Sequence, residues 1–218
     1  MDGILIDSEP LWKEAEQEVL RKVGLELTDA QCAETTGLDI ANAMQYWYNR
    51  QPWSGPSVSE VRDDLQETLI GLVKRKGKPC EGTVQILNLF KTMGWKIGLA
   101  SSSPMAIIEA SMAKLGLTHY FDVMHSSEFE RASKPDPAVY IGAARRLGVA
   151  PSRCIAFEDS YRGVQSAHAA GMVVVAVPDP HLREHEGFKL ASLVIGSLAD
   201  FSSKHLNGFS TLPLGKEL

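Results

Sequence analysis

The period of hydrophobic positions changes along the chain. From Trp95 onward, short apolar runs alternate with amphipathic segments. WKIGLA leads through Ser101-Ser102-Ser103-Pro104 into MAIIEASMAKLG. FDVMHS is followed, after a loop, by a helical pattern from about Asp136 to Leu147, with Gly148 behind it. CIAF precedes Glu158-Asp159-Ser160 and a helix ending at Gly171, MVVVAV precedes Pro178-Asp179-Pro180, and LVIG closes the series. Such runs, separated by helices of a few turns, are the pattern of parallel strands covered on both faces and joined by crossover helices. The expected fold is α/β, a doubly wound and mostly parallel sheet with a Rossmann-like core. In the first crossover helix Ser103 is placed to cap, Pro104 suits the opening turn, and Gly116 ends it.

Between Leu11 and Lys78 the period is helical and no convincing strand stands out. Pro10 opens a helix reaching about Val23, with Gly24 behind it. Asp39 can cap IANAMQYWYNR. Ser57 and Glu60 form a capping box ahead of a long helix to about Lys76. GKPCEG then reads as a hinge back to the sheet. Residues 11–78 are therefore expected to form a helical domain inserted into a core built from 1–10 and 79–218. Tyr46, Trp47 and Tyr48 fall in its helical pattern and are expected to be packing residues.

Composition narrows the function classes. With 44% hydrophobic and 22% charged residues, the chain can bury one sizeable core or a core plus a small second domain. No apolar run approaches the ~20 residues of a membrane span, so no membrane partner is expected. A net charge of -5 argues against nucleic acid, whose binding needs a basic face. It also requires any phosphate site to be made positive locally. The three cysteines, Cys32, Cys80 and Cys154, show neither zinc nor disulfide spacing and fit thiols of a reducing cytoplasm. The six histidines show no ligand spacing. No exposed apolar seam is evident, and a monomer is expected.

In doubly wound sheets, ligands bind outside the carboxyl ends of the strands. The residues there are Ser101-Ser102, Lys134 in SKPDP, Glu158-Asp159 and Asp179. Each has a plain structural reading. Ser101 can be a capping hydroxyl, Lys134 a solvated loop lysine, and Glu158-Asp159 a pair complementing a helix dipole. Asp2 can be an exposed terminal acid. Together with the Asp2-Gly3 turn, however, this ordered set supplies the parts of a magnesium-dependent phosphoryl-transfer site.

Four stretches, MDGILIDSEPLW, KIGLASSSP, SKPDPAVY and FEDSYRGV, resemble the haloacid dehalogenase superfamily, in particular the sugar-phosphate phosphatases of its β-phosphoglucomutase-like branch. The similarity spans nearly the whole chain, and the helical insert corresponds to the family's cap. The resemblance implies a Mg²⁺-dependent phosphatase acting on a small phosphorylated metabolite, with hexose or hexitol phosphates as the expected class. Asp2 would be the general acid and base, with its carbonyl on the metal. Asp159 would ligate Mg²⁺ directly, with Glu158 in its first or second shell. Ser101 and the Ser102 amide would bind phosphoryl oxygens, and Lys134 would neutralise charge on both nucleophile and phosphate. Thr36, Gly37 and Leu38 match the family's cap loop that meets substrate.

The resemblance also implies a departure. The family's nucleophile is an aspartate two residues before Asp2, at the end of a central apolar strand, and only Met1 precedes Asp2 here. The expectation is that about ten N-terminal residues are missing, that Met1 is the internal residue of Asp-Met-Asp-Gly, and that the 218-residue chain has no covalent phosphatase activity. The alternatives are a phosphosugar mutase and an inactive relative serving as a binding or scaffold protein. Trp12 occupies the place of a proton-transferring histidine in the mutases, which favours hydrolysis. A dehalogenase has no need of the second acid of the turn. A receiver-type signalling module would put its acids first and has neither a late acidic pair nor a helical insert.

Overall fold

The computed structural model describes residues 1–35 and 37–209. The chain enters through a tight turn, Met1 to Ile6, in which the Leu5 amide donates to the Met1 carbonyl at 2.7 Å. Four helices follow: α1 (Glu9–Lys22), α2 (Asp29–Cys32), α3 (Ile40–Arg50) and α4 (Val58–Lys76). Their boundaries follow from side-chain chemistry. Pro10 stands in the first turn of α1. The Asp39 carboxylate accepts from the Asn42 amide at 3.0 Å to start α3. Ser57 and Glu60 close the capping box of α4. The apolar stripe of α1, Leu11, Ala15 and Val19, repeats every four residues and packs with Leu65, Leu69 and Leu72 of α4 and with Met44 and Trp47 of α3. Trp47 is buried in this cluster, as the sequence pattern suggests.

The rest alternates strand and helix. After α5 (Thr83–Thr92) come β1 (Gly98–Ser101), α6 (Met105–Leu115), β2 (Val123–Ser126) and α7 (Ala138–Leu147). Next are β3 (Ile155–Glu158), α8 (Tyr161–Ala169), β4 (Val173–Ala176), β5 (Leu193–Val194) and α9 (Ser203–Leu206). Every strand pairing is parallel. Two details depart from expectation. Helix α5, TVQILNLFKT, begins directly after the expected hinge GKPCEG, on a stretch to which the sequence reading assigns no element. Ser103 does not cap α6, whose N-cap is Pro104 without a side-chain bond, because the Ser103 hydroxyl is used elsewhere.

The strands form two sheets among the described residues, β1-β2 and β3-β4-β5. Between them lies a cleft of about 420 Å³, lined by Leu99 and Ala100 of β1, Ala156 and Phe157 of β3, and Met1. Ile4 and Leu5 line it from the entry turn rather than filling it as a strand, and they cluster with Ile86 and Leu87 of α5.

The two crossings between the sheets and the helical insert run side by side. Asp7 donates to the Lys78 carbonyl at 3.0 Å, and Cys80 donates to the Leu5 carbonyl at 3.2 Å. Ile107 of α6 joins the buried cluster of the insert, so the insert rests on the core through α4 and α6. No helix among the described residues is long and apolar enough to cross a membrane.

The return into α5 is tight. Gly82 has φ +81, and a Cβ there would lie 2.1 Å from the Ala199 amide nitrogen. Gly82→Ala meets both a left-handed backbone and fixed main chain, so it is expected to lower stability by about 2 kcal/mol or more in thermal unfolding.

Candidate active site

The carboxyl ends of β1, β2 and β3 and the turn at Asp2 meet under the helical insert. A pocket of about 190 Å³ opens there. Its floor carries Asp2, Ser101, Ser102, Ser103, Lys134 and Asp159, and its roof carries Trp12, Glu16, Thr35, Gly37 and Leu38. These residues come from segments spread over the whole chain. Thr36 lies outside the described residues. Asp179 is not among the lining residues; it is exposed and accepts from the His181 amide at 2.8 Å in its own turn.

Asp2 sits in a cradle of neutral donors. Its Oδ1 accepts from Ser8 Oγ at 2.7 Å and Trp12 Nε1 at 3.2 Å, and its Oδ2 accepts from Ser103 Oγ at 2.8 Å. Ser8 stands just ahead of helix α1, Trp12 lies on it, and Ser103 belongs to the loop after β1. Serines at the end of β2 hold that loop, with Ser126 Oγ donating to the Ser103 carbonyl at 2.8 Å and Ser127 Oγ to that of Ser102 at 3.3 Å. Buried Ser101 accepts from the Ser103 amide at 3.1 Å.

Lys134 and Glu158 form a buried ion pair, with their side chains 10% and 6% exposed. Tyr140 donates its hydroxyl to the same Glu158 oxygen and lies under the Lys134 ammonium, 4.9 Å from ring centre to Nζ. Ser160 donates to the other oxygen at 3.3 Å. Glu158 is thus occupied by Lys134, Tyr140 and Ser160, and it does not line the pocket. Burial opposes its charge, but the Lys134 ammonium, the N-terminal ammonium and the hydrogen bonds from Lys134 and Tyr140 together outweigh burial and hold the carboxyl below its ordinary range.

Asp159 is the converse. Burial, and then the Glu158 carboxylate beside it, push its carboxyl up to about 7. Gly3 makes the close approach possible: its φ is +62, and a Cβ there would lie 2.1 Å from Asp159 Oδ2. Two acids, Asp2 and Asp159, therefore face one pocket in a net acidic protein. A hard divalent cation suits such a set of oxygens. The Asp2 carboxylate already accepts from Ser8, Trp12 and Ser103, which leaves the Asp159 carboxylate as the available side-chain ligand. Among the described residues no three Asp, Glu, His or Cys side chains converge on one ion, so the remaining ligands must come from elsewhere.

This arrangement has known counterparts. The sequence profile described as haloacid dehalogenase-like hydrolase matches residues 1–177. The chain belongs to this family. Hexitol phosphatase B of Escherichia coli (strain K12) is 38% identical over 209 residues, covering 95% of this chain and 94% of that protein. Among solved structures, CbbY from Rhodobacter sphaeroides in complex with phosphate superposes with a TM-score of 0.85 at 22% identity, over 92% of both chains. A β-phosphoglucomutase from Clostridium difficile does so with 0.80 at 22%, over 95% and 93%. These superpositions carry the fold: a Rossmann-like haloacid dehalogenase core with a helical cap.

Sequence reasoning missed Ser8, Ser103, Tyr140 and Glu16. Ser103 was visible only as a helix cap. Tyr140 lies six residues past Lys134 inside a helical pattern that gives no sign of where its hydroxyl points.

Two predictions follow from the charges. Lys134→Ala strands a buried carboxylate and is expected to cost about 3–5 kcal/mol, whereas Lys134→Ala combined with Glu158→Gln recovers most of that loss in denaturant titrations. For Asp159, the folded chain keeps a proton up to about 7 that the unfolded chain has already released. Its stabilising contribution is therefore full at low pH and is lost as pH rises through that value. In metal-free buffer Asp159→Asn is expected to melt above the wild type at pH ~8 and level with it at pH ~4, as proton linkage requires.

Proposed function

We propose that this protein is a magnesium-dependent phosphatase of small sugar phosphates, hexose or hexitol phosphates, that works through an aspartyl-phosphate. The carrying observation is the convergence of Asp2, Ser101, Lys134 and Asp159 on one pocket beneath the cap. The near full-length similarity to hexitol phosphatase B supports the substrate class.

In this reading the nucleophile is an aspartate directly ahead of Met1, ending an apolar strand seated between β1 and β3. The cleft lined by Leu99, Ala100, Ala156 and Phe157 supports it. A carboxylate oxygen of that aspartate bonds to phosphorus as the phosphorus–oxygen bond to the sugar breaks. Asp2 gives its proton to the departing alkoxide. The Asp2 carboxylate then takes a proton from water, whose oxygen attacks phosphorus as the bond from phosphorus to the nucleophile's carboxylate breaks, freeing inorganic phosphate and restoring the aspartate. Ser8, Trp12 and Ser103 hold Asp2 for both transfers. Ser101, with the Ser102 amide, donates to phosphoryl oxygens, and Lys134, fixed by Glu158, offsets their charge. Bound Mg²⁺, held by Asp159 and the Asp2 carbonyl, would neutralise charge on the transferring group.

Trp12 separates hydrolysis from the mutase alternative. Its indole N–H is committed to Asp2 and carries no titratable proton, so it cannot relay one to a second hydroxyl. The cap instead contributes closure and choice of leaving group.

The test is release of phosphate from sorbitol 6-phosphate with Mg²⁺. The 218-residue chain is expected to release none. A chain carrying an apolar segment that ends in aspartate ahead of Met1 is expected to turn over, and the same chain with asparagine there is expected to stay silent. Turnover by the unextended chain, or silence of the extended one, overturns the assignment of the nucleophile. The silent binding protein is favoured if neither chain turns over while both bind phosphate.

A further inference from the structure

Glu16 is the one group in the roof whose chemistry is unexplained by packing. It lies on α1 four residues after Trp12, on the same face, and lines the pocket with Asp2, Ser101 and Lys134. Its neighbours along that face, Ala15, Val19 and Leu20, go into the core of the cap. Glu16 is only 6% exposed, yet among the described residues it has no cationic partner. Its hydrogen-bond donor is Thr35 Oγ1, at 3.2 and 3.3 Å from the two carboxylate oxygens. That hydroxyl has one proton and is also 3.0 Å from the Cys32 carbonyl. The Cys32 thiol beside it is a weak donor. A carboxylate offers about four lone-pair sites, and here they share at most one full donor. Burial accordingly pushes the Glu16 carboxyl up to about 7.

A buried, underpartnered acceptor facing a substrate pocket costs stability in the empty protein. Its missing partners must come from whatever enters the pocket. The phosphate end of a substrate is claimed by Ser101 and Lys134 on the floor, so the end reaching Glu16 in the roof is the leaving group. A carboxylate accepts two hydrogen bonds in parallel from neighbouring hydroxyls, and a site built to bond a hydroxyl strongly rejects the analogue that lacks it.

We propose that Glu16 is the specificity-determining residue of the cap, accepting hydrogen bonds from hydroxyls of a polyol or sugar leaving group and so selecting polyhydroxylated phosphate esters over simple alkyl phosphates. This deepens the phosphatase reading and rests on it. Thr35 is then a positioning residue, orienting the carboxylate from behind.

Affinity is read by calorimetry with phosphate release followed in parallel, so that binding and turnover are told apart. Calorimetry with Mg²⁺ would compare inorganic phosphate, ethyl phosphate and sorbitol 6-phosphate on the wild type, Glu16→Gln and Glu16→Leu. The wild type is expected to prefer sorbitol 6-phosphate over ethyl phosphate by about tenfold or more, in line with one or two buried hydrogen bonds to a charged group. Both variants are expected to lose most of that preference while binding inorganic phosphate as the wild type does. Glu16→Leu is also expected to melt above the wild type without ligand, the reverse of what a structural role gives. Retained preference in the variants, or a lowered melting temperature in both, overturns the proposal. If inorganic phosphate binds and the wild type shows no preference, Glu16 is wrongly assigned while the phosphatase reading stands. If neither inorganic phosphate nor sorbitol 6-phosphate binds, both fall.

Discussion

The site depends on how negative charge is apportioned at the end of β3. Glu158 and Asp159 are consecutive, and two buried carboxylates side by side cannot both ionise freely. The structure separates their fates. Glu158 points back into the protein, where Lys134, Tyr140 and Ser160 satisfy it, and Asp159 points into the pocket with no such support. The same ion pair fixes Lys134, which comes from the long loop after β2 and otherwise would have no reason to stand over β3. One interaction thus positions the cation of the pocket and leaves one acid without a counter-charge. That combination, a fixed positive group beside an unsatisfied oxygen ligand, is what a phosphate ester and a divalent ion both need.

Asp2 ties the second half of the site to the first. Of its three donors, Trp12 comes from the cap helix α1, Ser8 from the residue just ahead of that helix, and Ser103 from the loop after β1. The carboxylate is thus held from the entry segment, from the cap and from the sheet at once.

Much of this was legible in the sequence, because it rests on local rules. Caps at Asp39 and Ser57, stops at Gly116 and Gly148, and the alternation of apolar runs with helices gave the elements and the parallel sheet. The sheet rule then pointed to Ser101, Lys134 and Asp159. What could not be read are the directions of side chains. Ser103 reads as a helix cap by position, but the cap falls on Pro104, one residue later, and the Ser103 hydroxyl instead donates to a carboxylate about a hundred residues away in sequence. Glu158 was expected in the first or second shell of the metal beside Asp159; only the depth of Tyr140 and Lys134 shows which way its side chain turns. Helix α5 was lost because Gly82 and the preceding Pro79-Cys80-Glu81 read as a turn, and the apolar face of the helix is short.

The paired crossings at Leu5–Asp7 and Lys78–Cys80 have a further meaning for this architecture. Entry to and exit from the cap lie one hydrogen bond apart, so the sheet senses the insert only as a narrow stalk. A helical bundle of another size or shape can be spliced onto that stalk without moving a strand. Diversification of the lineage can then proceed by exchanging roofs, while the reactive floor is inherited intact.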